Sequence, residues 1–354
     1  MRSFIFSLLK FALILLVFSY AISNLIYSVD SDHYWEYETP LLHQKYLDFQ
    51  PQSDAIDVVF IGSSKFYRQI DPLIFDSVVS GNISSYNLSV PNFFPVRSYN
   101  FVQRFSNENK NVKTIFIELS PIARIGKNYG ANPNINAIDN RTFVDVISFC
   151  TSTHYPLVYK MGYFTEYAVL YLYKYLGFGV NKYLHTILFE TESAIAPLNK
   201  TIEASKGYYS FEDQLREKKT KTLINRQNEF ADNSVAILKK AVKENSESGA
   251  TYSASTDNIS YRLKKLATDL RQQGVEVIFL IPPRQKKVHL NYLREQKLLL
   301  NDFPIIDLSS PTEYAAFYTK ENSFDRSHLN NRGSSVMSVE VANAYLKLKG
   351  KSSE

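Results

Sequence analysis

Five short apolar runs constrain the fold of this chain more than any other feature of its sequence. They cover residues 55–61, 83–90, 112–119, 275–281 and 304–308. Several end directly before glycine or proline, as at Gly62 and Pro282, and much of the sequence between neighbouring runs has helical composition. Continuous apolar runs of this length are typical of strands that are buried on both faces of a parallel sheet. The pattern therefore predicts an α/β fold with a five-stranded parallel sheet.

The α/β pattern is interrupted between residues 126 and 250, where no strong strand-turn-helix repeat is found. Residues 143–189 are rich in aromatic side chains, residues 211–245 are rich in charge, and both have helical composition. We therefore predict a mainly helical insertion at about 126–250. Its tyrosines, from Tyr155 to Tyr183, are interpreted first as core packing. A lid over a cleft, a sugar-stacking surface or a membrane-facing patch is the alternative.

The N-terminal stretch 4–26 is apolar over enough residues to cross a bilayer as a helix. Lys10 interrupts it, but this lysine lies near one end and can extend its ammonium group to the membrane surface. Arg2 and Lys10 lie on the N-terminal side and Asp30 and Asp32 follow, which predicts a cytoplasmic N-terminus and an extracytoplasmic body. We favour an uncleaved anchor over a cleaved signal peptide, because the apolar stretch continues beyond the small residues at which a peptidase could cut.

These boundaries divide the chain into three predicted parts. Residues 1–28 form a single-pass transmembrane anchor in the cytoplasmic membrane, and residues 29–53 form a polar and aromatic stalk. Residues 54–354 form the α/β domain with its insertion. The membrane is thus a predicted partner through the N-terminal helix.

Charge and composition exclude several kinds of function. The 40 basic and 35 acidic residues are well mixed, so no concentrated basic face for a nucleic acid is predicted. The single cysteine, Cys150, excludes an intramolecular disulfide and a cysteine zinc site. His154, His185 and His289 are far apart and have no acidic residues at metal-ligand intervals. We therefore predict no metal site and no cofactor.

The first candidate for chemistry follows the first apolar run. Ligands of open parallel sheets bind beyond the carboxyl ends of the strands, and the segment from Gly62 to Lys65 (Gly-Ser-Ser-Lys) stands at such an end. A glycine there allows a tight turn from strand to helix, and the helix N-terminus supplies free N–H groups. A serine in this turn is a candidate nucleophile beside an oxyanion site, although Gly-Ser-Ser also occurs in ordinary turns.

The second candidate lies near the other end of the chain, in Asp325-Arg326-Ser327-His328. A serine nucleophile needs a base that is poised near neutral pH, which His328 can provide. It also needs a carboxylate that holds the second ring nitrogen, and Asp325 is three residues earlier on a loop that leads into a helix. Without a serine partner, the same residues would be explained as a helix cap and a surface histidine.

Together, the two segments resemble the SGNH (GDSL) hydrolase superfamily. In that family the nucleophile follows the first strand in a Gly-Asp-Ser type motif, and a D-x-x-H motif precedes the last helix. The match covers about 54–125 and 257–348 and leaves the insertion uncovered. A serine stands where Asp is commoner in the first motif, so Ser64 takes the nucleophile position. The resemblance implies a flavodoxin-like three-layer sandwich and a catalytic triad of Ser64, Asp325 and His328.

The oxyanion donors of the family have no evident counterpart in this chain. The family takes them from a glycine after the second strand and from a G-x-N-D motif after the third, where this chain has Glu118-Leu119-Ser120-Pro121. The backbone N–H of Ser89 could replace the first donor, and the side chain of Asn87 or Asn92 the second. Both asparagines could equally serve turns. Loss of one donor costs roughly a hundred- to a thousand-fold in rate, so a slow or degenerate enzyme is an open alternative.

The Gly-Ser-Ser form and the N-terminal anchor are most similar to one branch of the superfamily. That branch includes the D-alanyl transfer protein of teichoic-acid modification and the alginate O-acetylation proteins, which act beside a membrane-bound O-acyltransferase. The resemblance implies an exported esterase or O-acyltransferase that acts on acyl esters of a cell-surface polysaccharide or related polymer. The implied partners are that acylated polymer and a polytopic membrane O-acyltransferase. The alternative is a catalytically weak or inactive accessory protein that binds a glycan or such a transferase.

Overall fold

The strands in the described part of the chain form one parallel β-sheet. A computed structural model describes residues 2–29, 40–80, 83–93, 95–122, 138–176, 197–246 and 253–351. The strands are β1 (Val58–Ile61), β2 (Ser85–Asn87), β3 (Thr114–Glu118), β4 (Glu276–Ile281) and β5 (Ile305–Asp307), in the order β2-β1-β3-β4-β5. Each lies inside one predicted apolar run, so the predicted five-stranded parallel sheet is confirmed. This order is doubly wound, and its topological switch point lies between β1 and β3.

Helices fill most of the remaining described chain. They are α1 (Arg2–Val29), α2 (Pro40–Phe49), α3 (Ser64–Gln69), α4 (Pro72–Val79), α5 (Arg97–Glu108), α6 (Asn140–Ser152), α7 (Leu157–Tyr175), α8 (Lys200–Ala204), α9 (Phe211–Glu217), α10 (Lys221–Ser246), α11 (Asn258–Gln272), α12 (Lys287–Leu299) and α13 (Asn331–Lys351). Two short 3-10 helices cover Gln50–Ala55 and Ala315–Tyr318. Asp71 and Asp257 cap α4 and α11, because their carboxylates accept N–H groups that lack an intrahelical acceptor.

Apolar side chains cover both faces of the sheet. Phe60 and Phe116 on neighbouring strands pack in one buried cluster with Phe75 of α4 and Met337 of α13. The alternate strand residues point to the opposite face and are also fully buried, as Val59 shows. A two-sided core explains why the strands are continuous apolar runs and not alternating ones.

Contacts divide the chain into two compact units. The anchor unit consists of Met1–His43, Arg124–Thr151 and Pro156–Ala196, and it contains α1, α7 and nearly all of α6. The sheet unit consists of Gln44–Ala123, Ser152–Tyr155 and Pro197–Glu354. The described residues of the predicted insertion therefore contribute to both units.

One helix in the described part of the chain is long and apolar enough to cross a membrane. This helix is α1, over Ser3–Ser23. Residues 30–39 of the predicted stalk lie outside the described residues, and the rest of that segment contains α2. Among the predicted insertion residues, 126–137 and 177–196, which include Tyr183 and His185, also lie outside them.

Candidate active site

The turn between β1 and α3 carries the candidate nucleophile. Gly62 follows the strand, Ser63 is the N-cap of α3, and Ser64 is the first helical residue. The Ser63 hydroxyl accepts the Lys65 N–H at 3.3 Å, so the N–H of Ser64 remains at the helix N-terminus without an intrahelical acceptor. The Ser64 side chain is partly exposed. Its hydroxyl therefore lies at the carboxyl edge of the sheet, beside the switch point between β1 and β3.

Ser64, His328 and Asp325 lie within hydrogen-bonding distance in series. The Oγ of Ser64 is 3.1 Å from Nε2 of His328. The other ring nitrogen, Nδ1, is 3.1 Å from Oδ1 of Asp325. This is the order that transfers a proton from a hydroxyl to an imidazole whose second nitrogen is held by a carboxylate.

The loop before α13 fixes the carboxylate beside the imidazole. Oδ1 of Asp325 accepts the backbone N–H of Ser327 at 2.7 Å and that of His328 at 2.9 Å. Burial alone would raise the pKa of Asp325, but the hydrogen bonds from His328 and Ser327 hold that pKa well below its ordinary value. Asp325 is therefore an anion at neutral pH. It acts as a turn residue and as the imidazole partner at once.

The imidazole of His328 is held neutral by its surroundings. Its side chain is 12% exposed, and the edge of the ring packs against Phe211 with ring centroids 5.0 Å apart. Desolvation lowers the pKa of His328, and the Asp325 carboxylate opposes this effect only in part. The result is a base that is unprotonated near neutral pH.

A cation from α10 competes with His328 for the carboxylate. Nη2 of Arg226 pairs with Oδ2 of Asp325 and lies 3.4 Å from Nδ1 of His328. The guanidinium also lies over the Phe211 ring, 4.8 Å from its centroid. Its charge contributes to the lowered pKa of His328. Arg226 thus holds Asp325 in place but weakens the support that Asp325 gives to a protonated imidazole.

A buried carboxylate supports the nucleophile turn from β3. Oε2 of Glu118 accepts the Ser63 N–H at 2.6 Å, and Oε1 accepts the Ser63 hydroxyl at 2.9 Å. Desolvation raises the pKa of Glu118 and lowers that of the neighbouring Lys65. Each charge partly opposes the effect of burial on the pKa of the other, so the two groups are electrostatically linked. Through its hydrogen bonds to Ser63, Glu118 fixes the backbone that presents Ser64.

Lys65 and Arg284 connect the nucleophile turn to the Asp325 loop. Nζ of Lys65 donates to the carbonyls of Pro283 at 3.0 Å and Arg284 at 3.3 Å. Nη1 of the buried Arg284 side chain donates to the carbonyl of Asp325 at 2.9 Å. The three loops that follow β1, β4 and β5 are therefore bound to one another, and this sets the distance between Ser64 and Asp325.

The predicted oxyanion donors are engaged elsewhere. Nδ2 of Asn87 donates to the carbonyls of Phe66 and Ile70 at 2.9 and 2.8 Å, and its Oδ1 accepts the Ser89 N–H at 3.0 Å. Both Asn87 and Ser89 are fully buried. These hydrogen bonds leave neither donor free for a substrate, which corrects both assignments. The buried carboxamide instead holds the end of β2 against α3.

Asn92 lies in a turn. Its backbone has φ of +60°, a conformation that asparagine adopts more readily than most residues. Its side chain is exposed, and its carbonyl accepts a hydrogen bond from Arg97 at 3.2 Å. This left-handed conformation explains why an asparagine occurs here. It agrees with the alternative prediction from the sequence, in which Asn92 serves a turn.

Four charged residues around the site were not predicted from the sequence: Lys65, Glu118, Arg226 and Arg284. Glu118 carries a recognisable signal, because a carboxylate that ends a buried apolar strand needs a donor partner. Arg226 carries none, because it is one of many charged residues on α10. Its contact with Asp325 spans 99 positions of the chain and depends on how α10 packs.

Gly62→Ala tests the packing of this turn. A Cβ atom at Gly62 would lie 2.6 Å from Cβ of Glu118 and 2.9 Å from Cγ of Phe66. We expect the free energy of unfolding to fall by about 1–3 kcal/mol, measured by urea denaturation in detergent. Gly350→Ala is the matched control, because no atom beyond its chain neighbours and its own helix backbone lies within 4 Å of its Cβ position. Equal stability of the two variants would contradict the close approach of Glu118.

The hydroxyl, imidazole and carboxylate define the chemistry of this site. Among the residues that the structure describes, no group of three or more His, Cys, Asp or Glu side chains could hold a metal ion. Comparison with models of protein families and with curated proteins found no match to this chain.

Proposed function

We propose that this protein is a membrane-anchored serine esterase or O-acyltransferase of the SGNH type. Its substrates are acyl esters of a cell-surface polysaccharide or related polymer. The observation that carries the proposal is the relay from Ser64 through His328 to Asp325, with both atom pairs 3.1 Å apart. Further support is the site's position at the carboxyl edge of a sheet of strand order 2-1-3-4-5, which agrees with a flavodoxin-like three-layer sandwich.

The reaction proceeds through an acyl-enzyme. Oγ of Ser64 attacks the ester carbonyl while Nε2 of His328 takes its proton, and Asp325 stabilises the imidazolium that forms. The N–H of Ser64, at the N-terminus of α3, is a candidate donor to the oxyanion. Collapse of the tetrahedral intermediate breaks the ester bond, and the leaving alcohol takes the proton from His328. Water or an acceptor hydroxyl then attacks the acyl-serine, which gives hydrolysis or transfer.

The proposed location follows from α1. Arg2 and Lys10 lie toward its N-terminal side, which favours a cytoplasmic N-terminus and an extracytoplasmic sheet unit. On that side the enzyme meets cell-envelope polymers. A polytopic membrane O-acyltransferase is the proposed protein partner, since it could supply or receive the acyl group.

A second candidate function is an accessory protein that binds a glycan or the acyltransferase. Two observations favour it. The donors of Asn87 and Ser89 are occupied, and Arg226 neutralises the carboxylate that should support His328. Such a protein would keep the fold and have little chemistry at Ser64.

Labelling with a fluorophosphonate probe separates the two functions. The full chain in detergent is treated with the probe, digested and analysed by mass spectrometry. We expect phosphonylation at Ser64, because its hydroxyl faces a neutral imidazole. The matched control is Ser335→Ala, which removes a hydroxyl on α13 and should label normally. A folded chain without label at Ser64 would overturn the enzyme proposal in favour of the accessory role.

The pH dependence should report the neutral imidazole. Only unprotonated His328 can take the proton of Ser64, and desolvation lowers its pKa. The rate of ester hydrolysis should therefore rise with pH through an acid limb whose midpoint lies below 6.5, the ordinary histidine value. The measurement is kcat/KM for an acetyl-ester chromophore across the acid range. A midpoint above 6.5 would contradict the described environment.

Arg226→Met should move this acid limb to higher pH. The substitution removes the cation that contributes to the lowered pKa of His328, and it leaves Asp325 free to stabilise the imidazolium. Arg326→Met is the matched control, because this exposed guanidinium pairs with Glu229 on the protein surface. A limb that moves equally in both variants would show a general charge effect and no specific role of Arg226.

A further inference from the structure

An exposed apolar stripe runs along α7 in the anchor unit. Leu157, Val158, Met161, Phe164 and Leu172 are 72%, 81%, 56%, 39% and 51% exposed. At 100° per residue these side chains lie on one side of the helix. Thr165, Ala168, Val169 and Tyr175 are the other residues of that side, so it carries no charge. Helices that face water present polar side chains there, so this stripe is not suited to an aqueous surface.

The opposite side of α7 is packed. Tyr163, Tyr167 and Leu170 are at most 6% exposed, and Tyr163 packs edge-on against Phe149 of α6. These two buried tyrosines serve packing, as the first interpretation of the sequence expects, whereas the aliphatic residues of the stripe face outward. The packed side also holds the buried Lys174, whose ammonium group donates to the carbonyl of Ile138 at 2.7 Å, so the side without charge is the exposed one.

A polar and aromatic cluster joins α7 to α1. The hydroxyls of Tyr171 and Tyr20 both donate to Oδ1 of Asn140, at 2.5 and 3.1 Å, and the rings of Tyr20 and Tyr175 are 5.4 Å apart. Tyr20 lies within one turn of the end of the apolar span Ser3–Ser23. Tyrosine at the end of a membrane helix marks the boundary between lipid and water.

This contact places the stripe beside the lipid-facing surface of α1. Tyr171 adjoins the stripe around the helix, and Tyr175 lies within its angular range at the C-terminal end of α7, so the surface that packs on α1 continues into the exposed stripe. We infer that α7 lies in the interfacial region of the bilayer that α1 crosses, with its stripe in contact with lipid acyl chains. The protein is then held at the membrane by two helices. The inference is independent of the chemistry at Ser64.

The lipid contact can be measured by spin labelling of the full chain. In a Cys150→Ser background, single cysteines at 158, 161 and 172 carry a nitroxide, and the protein is reconstituted into vesicles of phosphatidylethanolamine and phosphatidylglycerol. Collision with oxygen reports lipid, and collision with a water-soluble nickel chelate reports solvent. We expect the oxygen-to-nickel ratio at all three positions to exceed severalfold the ratio at a control cysteine at 239, an exposed position on α10.

Two outcomes would overturn the inference. Nickel access at 158, 161 and 172 equal to that at 239 would mean that the stripe faces water. Low access to both reagents would mean that a protein covers it, either a second copy or another chain. Circular dichroism of each labelled protein checks that the helices are intact, and position 158, at 81% exposure, tolerates the label most readily.

Discussion

Ser64→Ala is expected to reduce hydrolysis of an acetyl-ester chromophore by on the order of 10⁴-fold, or to the rate in buffer. The reason is that both steps of the proposed reaction use Oγ of Ser64, which lies 3.1 Å from Nε2 of His328. Alanine leaves the turn intact, because the hydrogen bonds to Glu118 and Lys65 come from Ser63. The measurement is kcat/KM of the full chain in detergent.

Ser335→Ala is the control for this experiment. It removes a hydroxyl that donates to a helical carbonyl on α13, and we expect kcat/KM within twofold of the wild type. Equal rates in Ser64→Ala and the wild type would remove Ser64 as the nucleophile. In that case the fluorophosphonate probe should also fail to label Ser64, so each experiment checks the other.

The sheet could be predicted because burial on both faces determines strand composition directly. The ends of the strands could not, because they depend on neighbours. β2 forms only over Ser85–Asn87 within the run 83–90, and the Asn87 N–H bonds to the carbonyl of Lys206 from the predicted insertion. No local pattern contains that pairing. The division of the insertion between two units also depends on long-range contacts.

The contact between Ser64, His328 and Asp325 could be predicted because each residue has a local reason to lie where it does. Ser64 follows a strand end, and Asp325 and His328 share one turn. The predicted oxyanion donors had no such local reason. Two of them, Asn87 and Ser89, make hydrogen bonds within the protein. A buried carboxamide that accepts the Ser89 N–H cannot be distinguished by sequence from one that faces a cleft.

The charged residues around the triad show the same limit. Glu118 and Arg226 reach the site across 55 and 99 positions of the chain. Glu118 contacts Ser63 and Arg226 contacts Asp325. Both contacts depend on how distant segments of the chain pack against each other. They hold the turn of Ser64 and the carboxylate of Asp325 in place. In the proposed mechanism the rate would therefore depend on residues that a motif does not contain.

Asp325→Asn is expected to lower kcat/KM by about 10⁴-fold, because an amide no longer selects the productive imidazole tautomer or stabilises its protonated form. The amide can still accept the N–H groups of Ser327 and His328 through its oxygen, so the turn is retained. Its NH₂ group would face the guanidinium of Arg226, donor to donor. The measurement is again hydrolysis of the acetyl ester, with circular dichroism as the check on folding.

Asp269→Asn is the matched control, since its carboxylate makes only an exposed pair with Lys265 on α11. Such surface pairs contribute at most about 1 kcal/mol to stability, and this one lies on a different helix from the site, so kcat/KM should not change. An Asp325→Asn enzyme within tenfold of the wild type would contradict the orienting role.

Combining Asp325→Asn with Arg226→Met decides what the carboxylate does. If Asp325 acts on His328, the double variant stays as slow as Asp325→Asn, because groups that work as a unit are not additive. If Asp325 mainly neutralises Arg226, removal of the guanidinium restores most of the lost rate, and the carboxylate is a counterion. The first result is expected, because both oxygens of Asp325 lie within hydrogen-bonding distance of Nδ1 of His328, Oδ1 at 3.1 Å and Oδ2 at 3.3 Å. The oxygen that pairs with Arg226 therefore also faces the imidazole, and in the proposed reaction only the imidazole takes the proton of Ser64.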